Sequence, residues 1–181
     1  MRDSLIGDDI TALPVGIPTL RYHLRITSMD EDVKLHALLM AAVEYCETIT
    51  HQIFARRSFD WRLPCFPSRE IQLPITPVSS VDSIKYIDTD GAEQDFATFD
   101  AVLDASDGWV CPSHGTSWPA TRQQAVAVTM NLTAGAEAIP AAAAQAIKFV
   151  AAHNYANPEG DKPIPQTIKS ILATLKVKHT L

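Results

Sequence analysis

The sequence lacks the patterns that build most catalytic and metal sites. It has no glycine-rich phosphate loop, no HExxH or GxSxG motif and no EF-hand loop. Three cysteines, Cys46, Cys65 and Cys111, are odd in number and far apart, which excludes a disulfide framework and predicts reduced, mostly buried thiols. The six histidines show no ligand spacing. Neither a metal nor another cofactor is expected.

An excess of positive charge and a long apolar run are also missing. The chain of 181 residues has 15 basic and 21 acidic residues, a formal charge of −6. This balance disfavours strong DNA binding, because affinity rises with the number of phosphates that cations neutralise. No apolar run approaches the ~20 residues that cross a bilayer, and Met1–Ile10 carries three aspartates instead of a signal peptide's apolar segment. We therefore expect a soluble cytoplasmic product that does not contact a membrane.

Helical patterns occupy both ends of the sequence. Apolar residues at helical spacing predict a short first helix that ends near Ile26. Ser28-Met-Asp-Glu31 matches a capping box, and the apolar stripe from Leu35 to Ile53 predicts a second helix of about 27 residues, roughly 40 Å long. Proline at a helix start predicts two more helices, over Ala141–Asn157 and Pro165–Leu175.

The middle of the chain alternates polar and apolar residues, as strands do. Asp90-Gly91 predicts a hairpin with a type I′ turn, because glycine accepts the positive φ of that turn. Pro64, Pro67, Pro74 and Pro77 require the strands around them to be short or at sheet edges. The four to six predicted strands include Arg69–Ile75, Ser83–Asp88, Glu93–Phe99, Trp109–Cys111 and Ala125–Leu132.

This order predicts an α+β fold: a mainly helical core, with a long second helix and two C-terminal helices, interrupted by an antiparallel β-rich insertion. We assign residues 1–181 to a single domain. Its helical part covers residues 14–57, the β insertion covers residues 58–135, and the C-terminal helices cover residues 139–181.

Candidate functional residues each have an alternative interpretation. Ser113-His114-Gly115 is more typical of a surface turn than of a nucleophile and base, since adjacent loop residues rarely face each other. Glu44 and Glu47 flank the apolar stripe and predict a solvated or intersubunit face. Trp109 and Trp118 fit either core-edge packing or an exposed partner anchor.

Eight acids in the strand region fit either solvated turns or a surface that faces passing DNA and discourages it from sticking. These acids are Asp82, Asp88, Asp90, Glu93, Asp95, Asp100, Asp104 and Asp107.

The succession of these segments resembles the head–tail connector (adaptor) proteins of tailed phages. The resemblance covers Leu13 to about Leu175. It rests on the order of the motifs more than on any single motif. The matching segments are Leu13-Pro-Val-x-Ile, His23-Leu-Arg-Ile26, Met29-Asp-Glu-Asp32, Glu44-Tyr-Cys-Glu47, Phe59-Asp-Trp-Arg-Leu63, Ile71-Gln-Leu-Pro, Pro77-Val-Ser-Ser-Val, Ile84-Lys-Tyr-Ile-Asp, Gly115-x-Ser-Trp-Pro119, Thr133-Ala-Gly135, Ile139-Pro140 and Ala151-Ala-His153-x-Tyr155.

The resemblance implies a structural virion subunit without catalytic residues. Such a subunit forms a ring, typically of twelve copies, at the neck of the particle. One side meets the portal protein, the other meets the next neck, stopper or tail protein, and double-stranded DNA passes through without sequence-specific binding. The candidate portal or subunit interface comprises Ile168, Leu172, Leu175, Lys176 and Lys178. The candidate channel-facing or neck-facing residues are Asp88, Asp90, Glu93, Trp109 and Trp118.

Two other functions remain open on the sequence alone. A cytoplasmic protein-binding or peptide-binding module would use the Trp109–Pro119 loop and the strand edges. An enzyme would need a pocket that joins His114 and Asp104 to a distant partner, and the sequence carries no positive sign of one.

Overall fold

The structure of the protein is a computed structural model that describes residues 3–104 and 107–176. The chain divides into two compact units. The β unit contains the described residues up to Asp9 together with Arg56–Ala136, and the helical unit contains Ile10–Ala55 and the described residues from Glu137 onward. The predicted α+β class is confirmed, and every described strand except the first, Ser4–Gly7, is inserted between the second and third helices. That the whole chain acts as one connector domain stays a prediction.

Within the described residues, the helical unit has four helices around one apolar core. They are α1 (Ile17–Leu24), α2 (Asp32–Thr50), α3 (Ala141–Ala156) and α4 (Gln166–Leu175). Each helix contributes at least one fully buried large side chain: Leu20, Leu39, Ile147 and Leu172. Burying one such side chain stabilises a fold by roughly 1.5–3 kcal/mol. The predicted extents of α3 and α4 agree with the structure to within one residue at either end.

The second helix begins later and ends earlier than the sequence predicted. It has 19 residues and is therefore about 28 Å long. The predicted capping box is wrong, because the Ser28 hydroxyl bonds to Asp30 and Glu31 makes no cap hydrogen bond. The Glu31 carboxylate instead accepts a hydrogen bond of 2.9 Å from the hydroxyl of Tyr155 on α3, which raises the pKa of that hydroxyl.

A buried carboxylate marks the end of α2. Glu47, only 7% exposed, accepts hydrogen bonds from the backbone amides of Phe54 at 2.7 Å and Ala55 at 2.9 Å. The chain turns back through His51, which has a left-handed φ of 57°. The prediction that Glu47 lies on a solvated or intersubunit face is therefore wrong. Its carboxylate holds the segment after the helix in place, whereas Glu44, one turn earlier, is exposed.

The described part of the β unit contains two antiparallel sheets. The five-stranded sheet has the order β1-β2-β8-β4-β5, and the three-stranded sheet has the order β3-β7-β6. The strands are β1 (Ser4–Gly7), β2 (Arg57–Leu63), β3 (Ile71–Gln72), β4 (Val78–Ile87), β5 (Glu93–Asp95), β6 (Phe99–Leu103), β7 (Gly108–Pro112) and β8 (Val128–Ala134).

The central strand β8 organises the larger sheet. Alternate residues of β8, from Val128 to Ala134, are buried, as expected for a strand with one face in the core. Its neighbours align apolar side chains in cross-strand rows, for example Trp61 of β2, Met130 of β8 and Ile84 of β4. These rows are the main stabilising unit of an antiparallel sheet, and they fix its register.

Strands β1, β2 and β6 were not predicted. Residues Ser4–Gly7 add an edge strand to β2. All four residues of β1 are exposed, including Leu5 and Ile6, so the periodicity of a buried face is missing. Gly7 allows close approach, because a Cβ there would lie 2.6 Å from the Phe59 ring.

Of the three cysteines, only Cys46 is buried; Cys65 is exposed and Cys111 is half-buried, so the prediction of mostly buried thiols holds for one of them. Burial, reinforced by the nearby Glu47 carboxylate, raises the pKa of the Cys46 thiol to about 12. At pH 8 only about one Cys46 in ten thousand is then a thiolate, the form that reacts.

We therefore expect a thiol reagent at pH 8 to label Cys65 quickly and Cys46 only after denaturation. Mass spectrometry of partly labelled protein checks this result. A Cys65→Ser variant should lose the fast reaction, while fast labelling of Cys46 in that variant would contradict the burial of its thiol.

Candidate interaction surfaces

The described residues contain no group of histidine, cysteine and acidic side chains that could hold a metal ion. None of the described helices is long and apolar enough to cross a membrane. Ser113 and His114 lie in a turn in which the Thr116 amide donates to the Ser113 carbonyl at 2.9 Å, and His114 is exposed. The remaining candidates for a functional site in the described chain are four surfaces.

The first surface is the acidic hairpin, defined as β4, β5 and the turn between them. It brings together Asp88, Asp90 and Glu93, three of the predicted site residues. The hairpin occurs where Asp90-Gly91 predicted it, but the predicted type I′ turn is wrong. That turn needs two successive positive φ values, and here Gly91 has a φ of 93° whereas Asp90 does not have a positive φ. Three residues, Thr89–Gly91, form the loop, and the Gly91 amide donates to the Asp88 carbonyl at 3.1 Å.

The Asp88 side chain stiffens this hairpin from within. Its carboxylate accepts hydrogen bonds from the Gln94 side chain at 3.0 Å and from the backbone amides of Ala92 at 2.9 Å and Asp90 at 3.0 Å. These hydrogen bonds lower the pKa of the Asp88 carboxyl below its usual range, and the bond from Gln94 has the largest effect. Asp88 therefore has a structural role inside the hairpin, and its charge is already engaged.

Replacing Asp88 with alanine should loosen the turn. We expect the amides of Asp90 and Ala92 to exchange with solvent about tenfold faster, because each loses its acceptor. Hydrogen exchange followed by NMR measures this change, with Asp95→Ala as the control because no described residue forms a hydrogen bond or ion pair with that side chain. Unchanged exchange in Asp88→Ala would show that the carboxylate does not organise the turn.

The two predicted tryptophans lie in different surroundings. Trp118 stacks on Phe66, with ring centroids 4.6 Å apart and an interplanar angle of 8°, and its indole N–H donates to the Arg69 carbonyl at 2.8 Å. Phe96 and Tyr86 complete this aromatic cluster. Of the two interpretations of Trp118, edge packing therefore fits its contacts, and its indole is already engaged.

The second surface is the outer face of the three-stranded sheet. Trp109 on β7 is 37% exposed, and its cross-strand partner Val102 on β6 is 64% exposed. On the opposite face, Val110 and Ile71 form a buried pair. Trp109 and Val102 thus form an exposed apolar pair on the sheet, which is typical of a contact with another protein.

The third surface is the outer side of α4. Leu172 and Ile168 are buried in the helical unit, so they attach the helix to its own subunit and are not available to a partner. Leu175 is half-buried, and its carbonyl accepts a hydrogen bond of 2.9 Å from Gln52. Lys176 is exposed, and Lys178 lies outside the described residues. The prediction of an interface here stays a prediction, which now concerns the exposed end of the helix.

The fourth surface, a cationic groove, was not predicted from the sequence. It is an open groove of about 630 Å³ between the end of α1 and α3, lined by Thr19, Tyr22, His23, Arg25, Ile26, Thr27 and Lys148. Among the described residues no carboxylate lies within 4.0 Å of the charged group of Arg25 or Lys148, whereas the neighbouring Arg21 is paired with Asp32 at 3.2 Å. Tyr22 at its rim is 89% exposed.

Arg25 occupies a backbone conformation that favours glycine. Its φ is 59° and its ψ is 32°, the left-handed region, at the residue that ends α1. A non-glycine residue there costs about 1 kcal/mol. The presence of arginine at this position is therefore not explained by the stability of the helix end. The sequence carries no signal that could have predicted this groove, because Arg25 and Lys148 are far apart along the chain.

No family model and no curated protein matches the chain. Solved structures do match it. A chain from the neck of an empty gene transfer agent (GTA) particle, computed with C6 symmetry, is 24% identical, with a TM-score of 0.81 over 97% of both chains. A chain from the virion of a native GTA particle is 25% identical, with a TM-score of 0.78 over 97% of both chains.

A third match comes from the neck of a native GTA particle computed with C12 symmetry. It is 23% identical, with a TM-score of 0.77 over 97% of both chains. The fold is thus that of proteins found in phage-like particles and their necks, and the resemblance to head–tail connectors is confirmed for the fold.

Proposed function

We propose that this chain is a structural head–tail connector subunit of a tailed phage or phage-like particle. It forms a ring under the portal protein, around the channel through which double-stranded DNA passes. The other side of the ring is the docking surface for the next neck, stopper or tail protein. The observation that carries this proposal is the match of 97% of the chain to chains of GTA particles, two of them from the neck.

Two features of the protein support this function. The match extends over almost the full length of both chains, so it involves the β unit as well as the helical unit. The described surface also offers an exposed apolar pair, a charged hairpin and a cationic groove, whereas residues suited to metal-dependent chemistry are not grouped in the described chain. Surfaces of this kind suit a protein that works through contacts with other subunits.

Closed rings are built by repeating one heterologous interface, in which two different patches of the same chain meet. We propose twelve copies, and the C12 symmetry used for one of the similar necks supports that number. The exposed end of α4 at Leu175 and Lys176 is proposed to contact the portal or a neighbouring subunit. The net charge of −6 suits a subunit near DNA that does not hold it.

The test is assembly of the full chain, alone and mixed with the portal protein of the same particle. Mass photometry should detect a closed ring, alone or on the portal; twelve chains of 19.8 kDa give about 238 kDa. Negative-stain images should show that ring coaxial with the portal. A chain that stays monomeric and does not bind the portal would contradict the proposed function.

A further inference from the structure

We propose that the cationic groove of one subunit receives the acidic hairpin of the next copy of the chain in the ring. This inference rests on the proposed function, because it assigns the two halves of the interface that a ring repeats. The groove belongs to the helical unit and the hairpin to the β unit, so the two patches share no residue. A contact between them is heterologous, as ring closure requires.

The groove supplies positive charge that the described part of the subunit does not neutralise. Arg25 and Lys148 line it together, and the hydroxyls of Thr19 and Thr27 add hydrogen-bond donors. His23 also lines the groove, and its ring contacts that of Phe149, with centroids 5.7 Å apart. The left-handed φ of Arg25 is a second observation, because glycine would suit this backbone better and the stability of the helix end does not account for the arginine.

The hairpin supplies the complementary charge on a stiff support. Asp88 is engaged inside the turn, and Glu93 is paired with Lys85 at 3.2 Å. Asp90 and Asp95 are exposed, and no described residue forms a hydrogen bond or ion pair with their side chains. The hairpin contains five acids, Asp82, Asp88, Asp90, Glu93 and Asp95, and one base, Lys85. Counting also Arg122, whose guanidinium lies beside Gly91, the acids still exceed the bases by three.

Duplex DNA is the less favoured occupant of the groove. Two cations neutralise too few phosphates for firm binding, and the chain as a whole is acidic. A protein hairpin with two available carboxylates matches the number of the cations. An exposed aromatic side chain such as Tyr22 at the rim is also typical of protein–protein contacts.

The test uses paired charge reversals in the full chain. Arg25→Glu with Lys148→Glu, and Asp90→Lys with Asp95→Lys, should each weaken ring assembly by about a hundredfold or more, because like charges then face each other. An equimolar mixture of the two variants should assemble again. In that mixture each reversed groove meets a reversed hairpin and each native groove meets a native hairpin. Misfolding of either variant cannot produce this rescue.

Two further variants distinguish loss of the groove–hairpin contact from loss of stability and from a general change in surface charge. Arg25→Gly should keep or raise the melting temperature, because glycine accepts the left-handed φ, and yet weaken assembly. Lys162→Glu, an exposed charge reversal outside the groove, should leave assembly unchanged.

The outcomes distinguish the inference from the proposed function. If the native chain forms rings and both reversed variants also do, or if their mixture fails to assemble, the groove–hairpin contact is wrong and the ring stands. The contact is also wrong if the variant with Arg25→Glu and Lys148→Glu still assembles but binds a labelled 30-base-pair duplex more weakly than the native chain. The groove would then bind DNA and not the hairpin. If the native chain forms no ring with or without the portal, the proposed function fails and the contact fails with it.

Discussion

Replacing Glu47 with alanine should lower the free energy of unfolding by about 3–5 kcal/mol. The carboxylate accepts two hydrogen bonds from buried backbone amides, those of Phe54 and Ala55. A hydrogen bond to a charged group contributes roughly 1.5–3 kcal/mol, and a buried amide that loses its acceptor costs about as much. Glutamine at this position keeps an acceptor oxygen, so we expect it to recover part of the loss.

Denaturant unfolding followed by circular dichroism measures both variants. The matched control is Glu44→Ala, one turn earlier on the same helix, where the side chain is exposed and we expect a change within about 0.5 kcal/mol. Equal stabilities of the Glu47 and Glu44 variants would show that the carboxylate does not hold the segment after α2.

Leu172→Ala should destabilise the helical unit by about 2–5 kcal/mol. The side chain of Leu172 is fully buried, and its truncation removes apolar contacts and leaves a cavity. Helix α4 has only 10 residues and depends on docking, since helices shorter than about 12 residues are marginal alone. We therefore expect α4 to detach first, which limited proteolysis would detect as early cleavage near Pro165.

The control for Leu172 is Lys169→Ala on the exposed side of the same helix, with an expected change within about 0.5 kcal/mol. If Leu172→Ala were as stable and as protease-resistant as Lys169→Ala, the docking of α4 by this side chain would be wrong. Because Leu172 is buried, a polar substitution there would disrupt folding and could not report on an interface. A substitution that tests the interface proposed at the end of α4 should be made at the exposed Lys176.

Helices α3 and α4 could be predicted well because their signals are local. Pro140 and Pro165 mark their starts, and the apolar residues repeat at helical spacing. The end of α2 could not be predicted, because no glycine or proline interrupts the stripe. The helix ends where the Glu47 carboxylate binds amides seven and eight residues later, an arrangement that only the folded chain creates.

Among the strands, too, features with a local sequence signal could be predicted and features that depend on the folded chain could not. Asp90-Gly91 located the hairpin, but the turn type depends on the bonds of the Asp88 carboxylate. Strand β1 exposes all its residues, and therefore its sequence carries no pattern of burial. The cationic groove could not be predicted, because the fold brings Arg25 and Lys148 together from distant parts of the chain.

The most direct test of the proposed neck function is electron cryomicroscopy of particles from cells that encode this protein, with and without its gene. We expect native particles to show a ring of this fold between portal and tail, and the gene deletion to yield heads without tails. Restoring the gene on a plasmid should restore joined particles. Complete particles with an unchanged neck in the deletion strain would contradict the proposed function.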